Sequence, residues 1–432
     1  GNSGIVAEMM FRRLAVPLLT AASGSAVGTL AEPVYSADGH WLRDGPELAA
    51  GGRLLEDGSA LNASSSSSSS SSVAKKAIER KSWKHHFPST PWRAEGDLPG
   101  NGSCSGRFRT LGGVPAHATD LNGLVLPDVC FPSAGPHHVF VIGDWGGIFT
   151  DADAPVRPAD RRTSDLPGSH RSFVVGADDR AQRSVARQMD LRSQQQAPDY
   201  ILNAGDNFYW GGVLRRCGEA PSDVGDPSGQ WQHVFEKMYD GPGLEGKQWL
   251  GVLGNHDFGG FSFTSGWDQT IGYTWSSVPT STGRWMTPAL YYSSTVHYSD
   301  FSVGYFFVDT NYFDAYRPDM NENHNLCSQM HNHGQATCGE EGPTSVEDCP
   351  RWFGELWKSQ IAWLETVLDN STTDWQVVVT HFTPEHGLEL WERLTRDYGI
   401  DLIITGHRHQ QEVHYLGDSN PLRPTAFIVS GG

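Results

Sequence analysis

The chain has 432 residues, 38% hydrophobic and 19% charged, enough to bury a sizeable core as one large domain or two ordinary ones. Its 50 acidic against 32 basic side chains leave a net charge of −18, which repels a nucleic-acid backbone except at a locally basic patch and argues against nucleic acid as a partner. No apolar run reaches the roughly 18 residues that a membrane-spanning helix needs.

Residues 1–31 read as a leader. Arg12 and Arg13 follow Met9 and Met10, an apolar run extends from Leu14 to Leu19, and small residues from Ala21 to Ala26 frame a cleavage site. The competing reading, a short buried helix, is opposed by Pro17 in the middle of the run. Residues 1–8, ahead of the first Met, read as additional reading frame. Residues 32–135 are rich in Gly, Ser and Pro, include the unbroken Ser64 to Ser72 tract, and are expected to be largely flexible. Within them, Lys75 to His86 is locally basic and reads as a solvated helical stretch. Cys104, Cys130, Cys217, Cys327, Cys338 and Cys349 form an even set without a C-x-x-C pair, which suits disulfides of an oxidising compartment and leaves the pairing open. Sequons at Asn62, Asn101 and Asn370 agree with a glycoprotein. Together these features predict a protein that is secreted or held in the lumen of the secretory pathway.

From residue 136 to residue 432 the texture is α/β. Val139 to Ile142 leads into Gly143-Asp144-Trp145-Gly146-Gly147, Tyr200 to Leu202 into Gly205-Asp206-Asn207-Phe208-Tyr209, and Trp249 to Leu253 into Gly254-Asn255-His256-Asp257. Val377 to Val379 then runs into Thr380-His381, and Leu402 to Ile404 into Gly406-His407-Arg408-His409. Helices are predicted at Ala181 to Gln195 and Leu356 to Leu368, the second placing Trp357, Ile361, Leu364 and Leu368 in the core. Leu290 to Val296 and Val303 to Val308 read as antiparallel strands of a second sheet, so the expected fold is a two-sheet sandwich flanked by helices.

Strand ends of an open α/β sheet face a common crevice, so the five tips should converge. They bring Asp144, Asp206, Tyr209, Asn255, His256, His381, His407 and His409, a mixture of hard oxygen donors and imidazoles that exceeds the needs of one metal ion. Taken singly, each tip reads as a turn or a helix cap. Their repeated placement at successive strand ends favours a metal site.

The five blocks resemble, in order, those of the calcineurin-like metallophosphoesterases: GDxG, GD followed by further donors, GNH(D/E), a His after a strand, and GHxH. Tyr209, three residues after Asp206, makes the chain similar to purple acid phosphatases, and GDWGG, GDNFYWGG, GNHDFGG, SQIAWLETVL and HFTPEHG are similar to the small tartrate-resistant type. The resemblance spans residues 137 to 432. It implies an Fe³⁺ held by Asp144, Tyr209 and His409, a divalent ion (Fe²⁺, Zn²⁺ or Mn²⁺) held by Asn255, His381 and His407, and Asp206 bridging the two. It implies an acid phosphatase in which hydroxide activated by the ions attacks a small phosphate monoester, with His256 and His386 as catalytic histidines. His386 lies only five residues after His381, closer than the family's spacing.

Other positions depart from that pattern. Asp144 and Asp206 are 62 residues apart (206 − 144), and Thr150 to Arg171 reads as an insertion. The Cys-rich stretch from Asn321 to Arg351 reads as enlarged; its His324, Cys327, His331, His333 and Cys338 could form a zinc site, but a disulfide-stapled loop is favoured. His137 and His138 read as surface residues, and Trp210 either walls the pocket or supports it from within. Family members continue past the Val-Ser-Gly-Gly segment with more strands, so the domain is expected to be truncated at its C-terminus. The competing functions are a phosphodiesterase on the same core and a non-catalytic scaffold, which would be expected to have lost metal donors. Oligomeric state is not legible.

Overall fold

The computed structural model describes residues 105–147, 178–320, 324–415, 417 and 420–432, and residues 7–10 by backbone alone. All of them fall within one of two compact units, residues 1–11 together with 72–432. The rest of the expected leader, the serine tract, Lys75 to His86, the sequons at Asn62 and Asn101 and the Thr150 to Arg171 insertion lie outside the described residues.

The first three polar tips belong to one sheet. Strands β4 (His138–Ile142), β5 (Tyr200–Asn203), β6 (Trp249–Gly251) and β7 (Trp285–Met286) run parallel in that order, and β1 (Ala7–Met10) pairs antiparallel with β4. The last two tips belong to the other sheet. There β8 (Tyr292–Tyr298) and β9 (Ser302–Phe307) are antiparallel, as expected, while β10 (Trp375–Val379), β11 (Leu402–Thr405) and β13 (Ala426–Ser430) continue parallel from β9. An antiparallel β12 (Gln411–His414) closes one side, and the short β2 (Leu124–Val125) and β3 (Val129–Phe131) both pair with β8 on the other.

Alternation along each strand explains how the layers form. Val139, Val141 and Leu202 bury inward against Tyr305, Phe307, Val377 and Val379 of the facing sheet. Phe140, Ile142 and Ile201 point the other way, onto Ala186 and Met189 of α1 (Asp178–Ser193). The second sheet mirrors this, with Val378 and Ile403 covered by Leu364 and Leu368 of α4 (Cys349–Asn370) and by Trp391 and Leu394 of α5 (Leu388–Tyr398). Two shorter helices, α2 (Asn255–Phe258) and α3 (Trp267–Gly272), follow β6. Strands covered on both faces read as continuous apolar runs, which is why these were visible in the sequence. Among the described residues, no helix is long and apolar enough to cross a membrane.

Two expectations are corrected. Residues 105–135, placed in the flexible region, belong to the fold: β2 and β3 pair with β8, Phe108, Leu126 and Val129 are buried between the sheets, and Cys130 is disulfide-bonded. Strands of two and three residues carry no readable period. His137 and His138 are buried rather than on the surface. The imidazole of His137 is satisfied by Asp199 Oδ2 at 2.9 Å and Ser133 O at 3.0 Å, and packs 4.2 Å from the Tyr298 ring.

Candidate metal centre

Three of the five tips leave their strands through a backbone turn that side chains rarely adopt. Among the described residues, the three non-glycine positions with positive φ are Asp144 (54°), Asp206 (53°) and His407 (67°). Left-handed backbone is uncommon outside glycine and persists where the surroundings impose it, often at functional sites. Glycine at 205 and 254 then lets the tips close on one another. A Cβ on Gly205 would stand 2.7 Å from Gly254 N and 2.9 Å from His381 Nδ1, and one on Gly254 would overlap Asp206 Oδ1.

The donors meet between the two sheets' rims. Tyr209 Oη lies 3.1 Å from Asp144 Oδ1, 3.0 Å from Asp206 Oδ2 and 2.9 Å from His409 Nε2. Asp144, Asp206 and His409 present donor atoms within 4.8 Å of one another. On the other side of Asp206, His381 Nε2 is 3.4 Å from Oδ2 and 3.1 Å from Asn255 Oδ1. The His407 ring lies 5.2 Å from that of His381, and its backbone N–H donates to Asp144 Oδ2 at 2.9 Å. All seven positions expected to hold metal therefore gather at one place, in two groups flanking Asp206.

Tautomer and charge suit cations. His381 donates from Nδ1 to the Ala204 carbonyl at 2.8 Å, which leaves Nε2 facing Asp206 and Asn255 as the nitrogen that a cation could take in place of a proton. Burial opposes protonation of His381, but the Asp206 carboxylate outweighs it and pushes the imidazole up to about 10. Burial likewise opposes ionisation of Asp206, yet His381 and His256 hold its carboxyl well below the usual range. Burial first, and then Asp144 and Asp206, push the Tyr209 phenol well above its ordinary value. Among the described residues, the ion-pair partners of the two buried carboxylates are histidines, not Lys or Arg. Buried carboxylates and a phenol that need positive charge, beside imidazoles whose facing nitrogens a cation could take in place of a proton, fit metal ions.

The two expected catalytic histidines border this group. The His256 N–H donates to Asp206 Oδ1 at 2.9 Å, its Nδ1 donates to Trp210 O, and its ring is 4.7 Å from that of Tyr209. His386 lies 5.7 Å from the His407 ring, with Nδ1 3.4 Å from Thr383 Oγ1. Burial lowers the pKa of both imidazoles. Trp210 packs edge-on to Tyr209 and His256 at 5.0 and 5.5 Å, so it walls the site. Behind the donors, Asp257 accepts from Gly254 N and from both nitrogens of Asn207, tying the second and third tips together.

The Cys-rich loop is stapled by Cys217–Cys338 and Cys327–Cys349, as favoured over a zinc site. One of its members was nonetheless missed as a site residue. His324 places its ring 5.9 Å from His256 and 6.5 Å from His407, and nothing in its spacing announced this.

A family model described as calcineurin-like phosphoesterase matches residues 137–411. Tartrate-resistant acid phosphatase type 5 of Homo sapiens is 24% identical over 72% of this chain and 77% of its own length. Purple acid phosphatase 7 of Arabidopsis thaliana is 27% identical over 58% of this chain and 65% of its own. GAP50, the anchor in the inner membrane complex of Plasmodium, superposes with a TM-score of 0.41 at 15% identity, covering 68% of this chain and 70% of that one. The likeness read from the five motifs is borne out.

Proposed function

Because the chain belongs to the calcineurin-like phosphoesterase family, we propose that it is an acid phosphatase that hydrolyses phosphate monoesters with the help of two metal ions. The observation carrying this reading is the position of Asp206 Oδ2, 3.0 Å from Tyr209 Oη and 3.4 Å from His381 Nε2, between two sets of donors. Asp144, His409 and Tyr209, whose phenol would give up its proton to a bound cation, would form a set suited to Fe³⁺; Asn255, His381 and His407, with the imidazoles deprotonated on binding, would form a neutral set suited to Fe²⁺, Zn²⁺ or Mn²⁺. A pair of cations in such a site lowers the pKa of water and polarises the phosphoryl oxygens.

The chain's own groups do the rest. His256 is oriented by its Nδ1–H on Trp210 O, which leaves Nε2 to hold and deliver a proton to the leaving oxygen. His386, beside His407, is the second proton carrier. Phe382, stacked 4.1 Å from the His407 ring, and Trp210 limit water around the reacting phosphoryl group. The intact donor set speaks against a non-catalytic scaffold. The disulfides, together with Asn370 exposed at the end of α4, support passage through the secretory pathway.

The test is metal analysis combined with turnover of a chromogenic phosphate monoester and the matching diester. About two ions per chain and preferred monoester turnover are expected. Diester preference would make the chain a phosphodiesterase, and a metal-free, inactive chain would sink the proposal.

A further inference from the structure

Three imidazoles flank the donor groups, and the resemblance supplied a role for only two of them. The third, His324, precedes a loop segment fixed by several hydrogen bonds and a disulfide. The next residue, Asn325, accepts from Tyr316 N at 3.2 Å and Cys327 N at 2.9 Å and donates to the Arg317 and Met320 carbonyls. Leu326 N donates to Asp314 O at 2.8 Å, and Cys327 is bonded to Cys349 at the start of α4. The His324 ring itself stacks on Phe261, at 5.1 Å and 17° between planes.

Its hydrogen bonding fixes where its proton lies. Asn255 turns Oδ1 toward His381 Nε2, so its Nδ2 donates to His324 Nδ1 at 3.3 Å. With Nδ1 accepting, the neutral ring carries its hydrogen on Nε2. Should the ring instead pair with Asp314, whose Oδ2 is 4.0 Å from Nδ1 and has no other partner, both nitrogens are protonated. Nε2 is a donor in either state. The side chain remains 41% exposed, with its ring 5.9 Å from that of His256 and 6.5 Å from that of His407.

We propose that His324 is a substrate-binding residue whose Nε2–H donates to a phosphoryl oxygen, so that the disulfide-stapled loop forms one wall of the phosphate pocket. This assignment rests on the phosphatase reading above. Phe261 and Asn255 hold the ring ready before substrate arrives, which limits the entropy lost on binding.

The experiment uses the full metal-loaded chain, p-nitrophenyl phosphate as substrate and inorganic phosphate as competing ligand, with metal content measured alongside. His324→Ala is expected to raise KM and the phosphate inhibition constant about tenfold, the loss of one good hydrogen bond to a charged group, while bound metal is unchanged. His324→Gln, which keeps an N–H near the position of Nε2, should recover most of that affinity. An alanine variant whose phosphate inhibition constant stays within about twofold of the parent overturns the assignment, since a hydrogen bond to an anion is worth more than that. Loss of metal in the same variant also overturns it, because His324 would then act by supporting Asn255. Inactivity of the parent chain would instead remove the phosphatase reading and this assignment together.

Discussion

Asp206 and His381 meet at 3.4 Å, Oδ2 to Nε2, although one stands at the tip of β5 and the other at the tip of β10 in the facing sheet. Both are almost fully buried. The contact joins the rims of the two sheets at the point where the two donor groups share an atom. A carboxylate so enclosed stays ionised only where positive charge or hydrogen-bond donors compensate its burial.

Asp206→Asn should therefore empty both halves of the site rather than one. Metal analysis of the purified variant is expected to fall from about two ions per chain to well below one. Retention of one full equivalent would show that Asp206 serves a single ion.

Tyr209→Phe removes a hydroxyl that touches Asp144, Asp206 and His409 and leaves the ring packed against His256. A phenolate on ferric iron gives a visible absorption band, which should vanish in this variant. A band of unchanged intensity would rule out phenolate ligation.

Asp314 gives a pH dependence to the metal-free protein. Burial first, and the neighbouring Asp206 charge after it, raise its carboxyl to about 7 against an ordinary 3.8. Because the folded value is the higher one, the stabilisation is fully present below about pH 4 and is lost as pH rises through about 7, an effect of at most about 4 kcal/mol. Urea denaturation of the metal-free chain should show this decline together with those of Asp257, Asp268 and Asp309, and Asp314→Asn should make it shallower and be the more stable form at pH 8. A variant with the same slope as the parent would contradict the account.

The Glu236–Arg284 pair supports the sheet from a distance. Its 2.9 Å contact is nearly excluded from solvent, and Arg284 also donates to the Tyr239 and Glu236 carbonyls. Glu236→Ala leaves the guanidinium buried without its counter-charge and should cost about 3–5 kcal/mol in denaturant unfolding. Metal content per folded molecule should be unaffected, since neither residue touches the donors.

Legibility followed burial and period. The strands under the five tips were visible because each is apolar across both faces, and α1 and α4 because their apolar residues recur at helical spacing. β2 and β3 were missed because runs so short show no alternation, and α5 was missed altogether. His137 looked like a surface residue because its partners, Asp199 and Ser133, are supplied by a strand entry and a neighbouring turn. Disulfide pairing was equally closed to inspection, since Cys217 and Cys338 are 121 positions apart.

The sequence by itself determined the chemical inventory: which residue types stand at the strand ends, in what order, and hence the family the chain belongs to. Local residues suffice for that, because a strand followed by a glycine turn places its next side chain at the sheet rim wherever the sheet goes. Only the tertiary structure decided that three tips come from one sheet and two from the other, that Asp206 Oδ2 lies within 3.4 Å of both Tyr209 Oη and His381 Nε2, and that a histidine on a stapled loop stands beside them. Those are distances between segments remote in sequence, set by how two layers of buried side chains pack, and no local pattern encodes them.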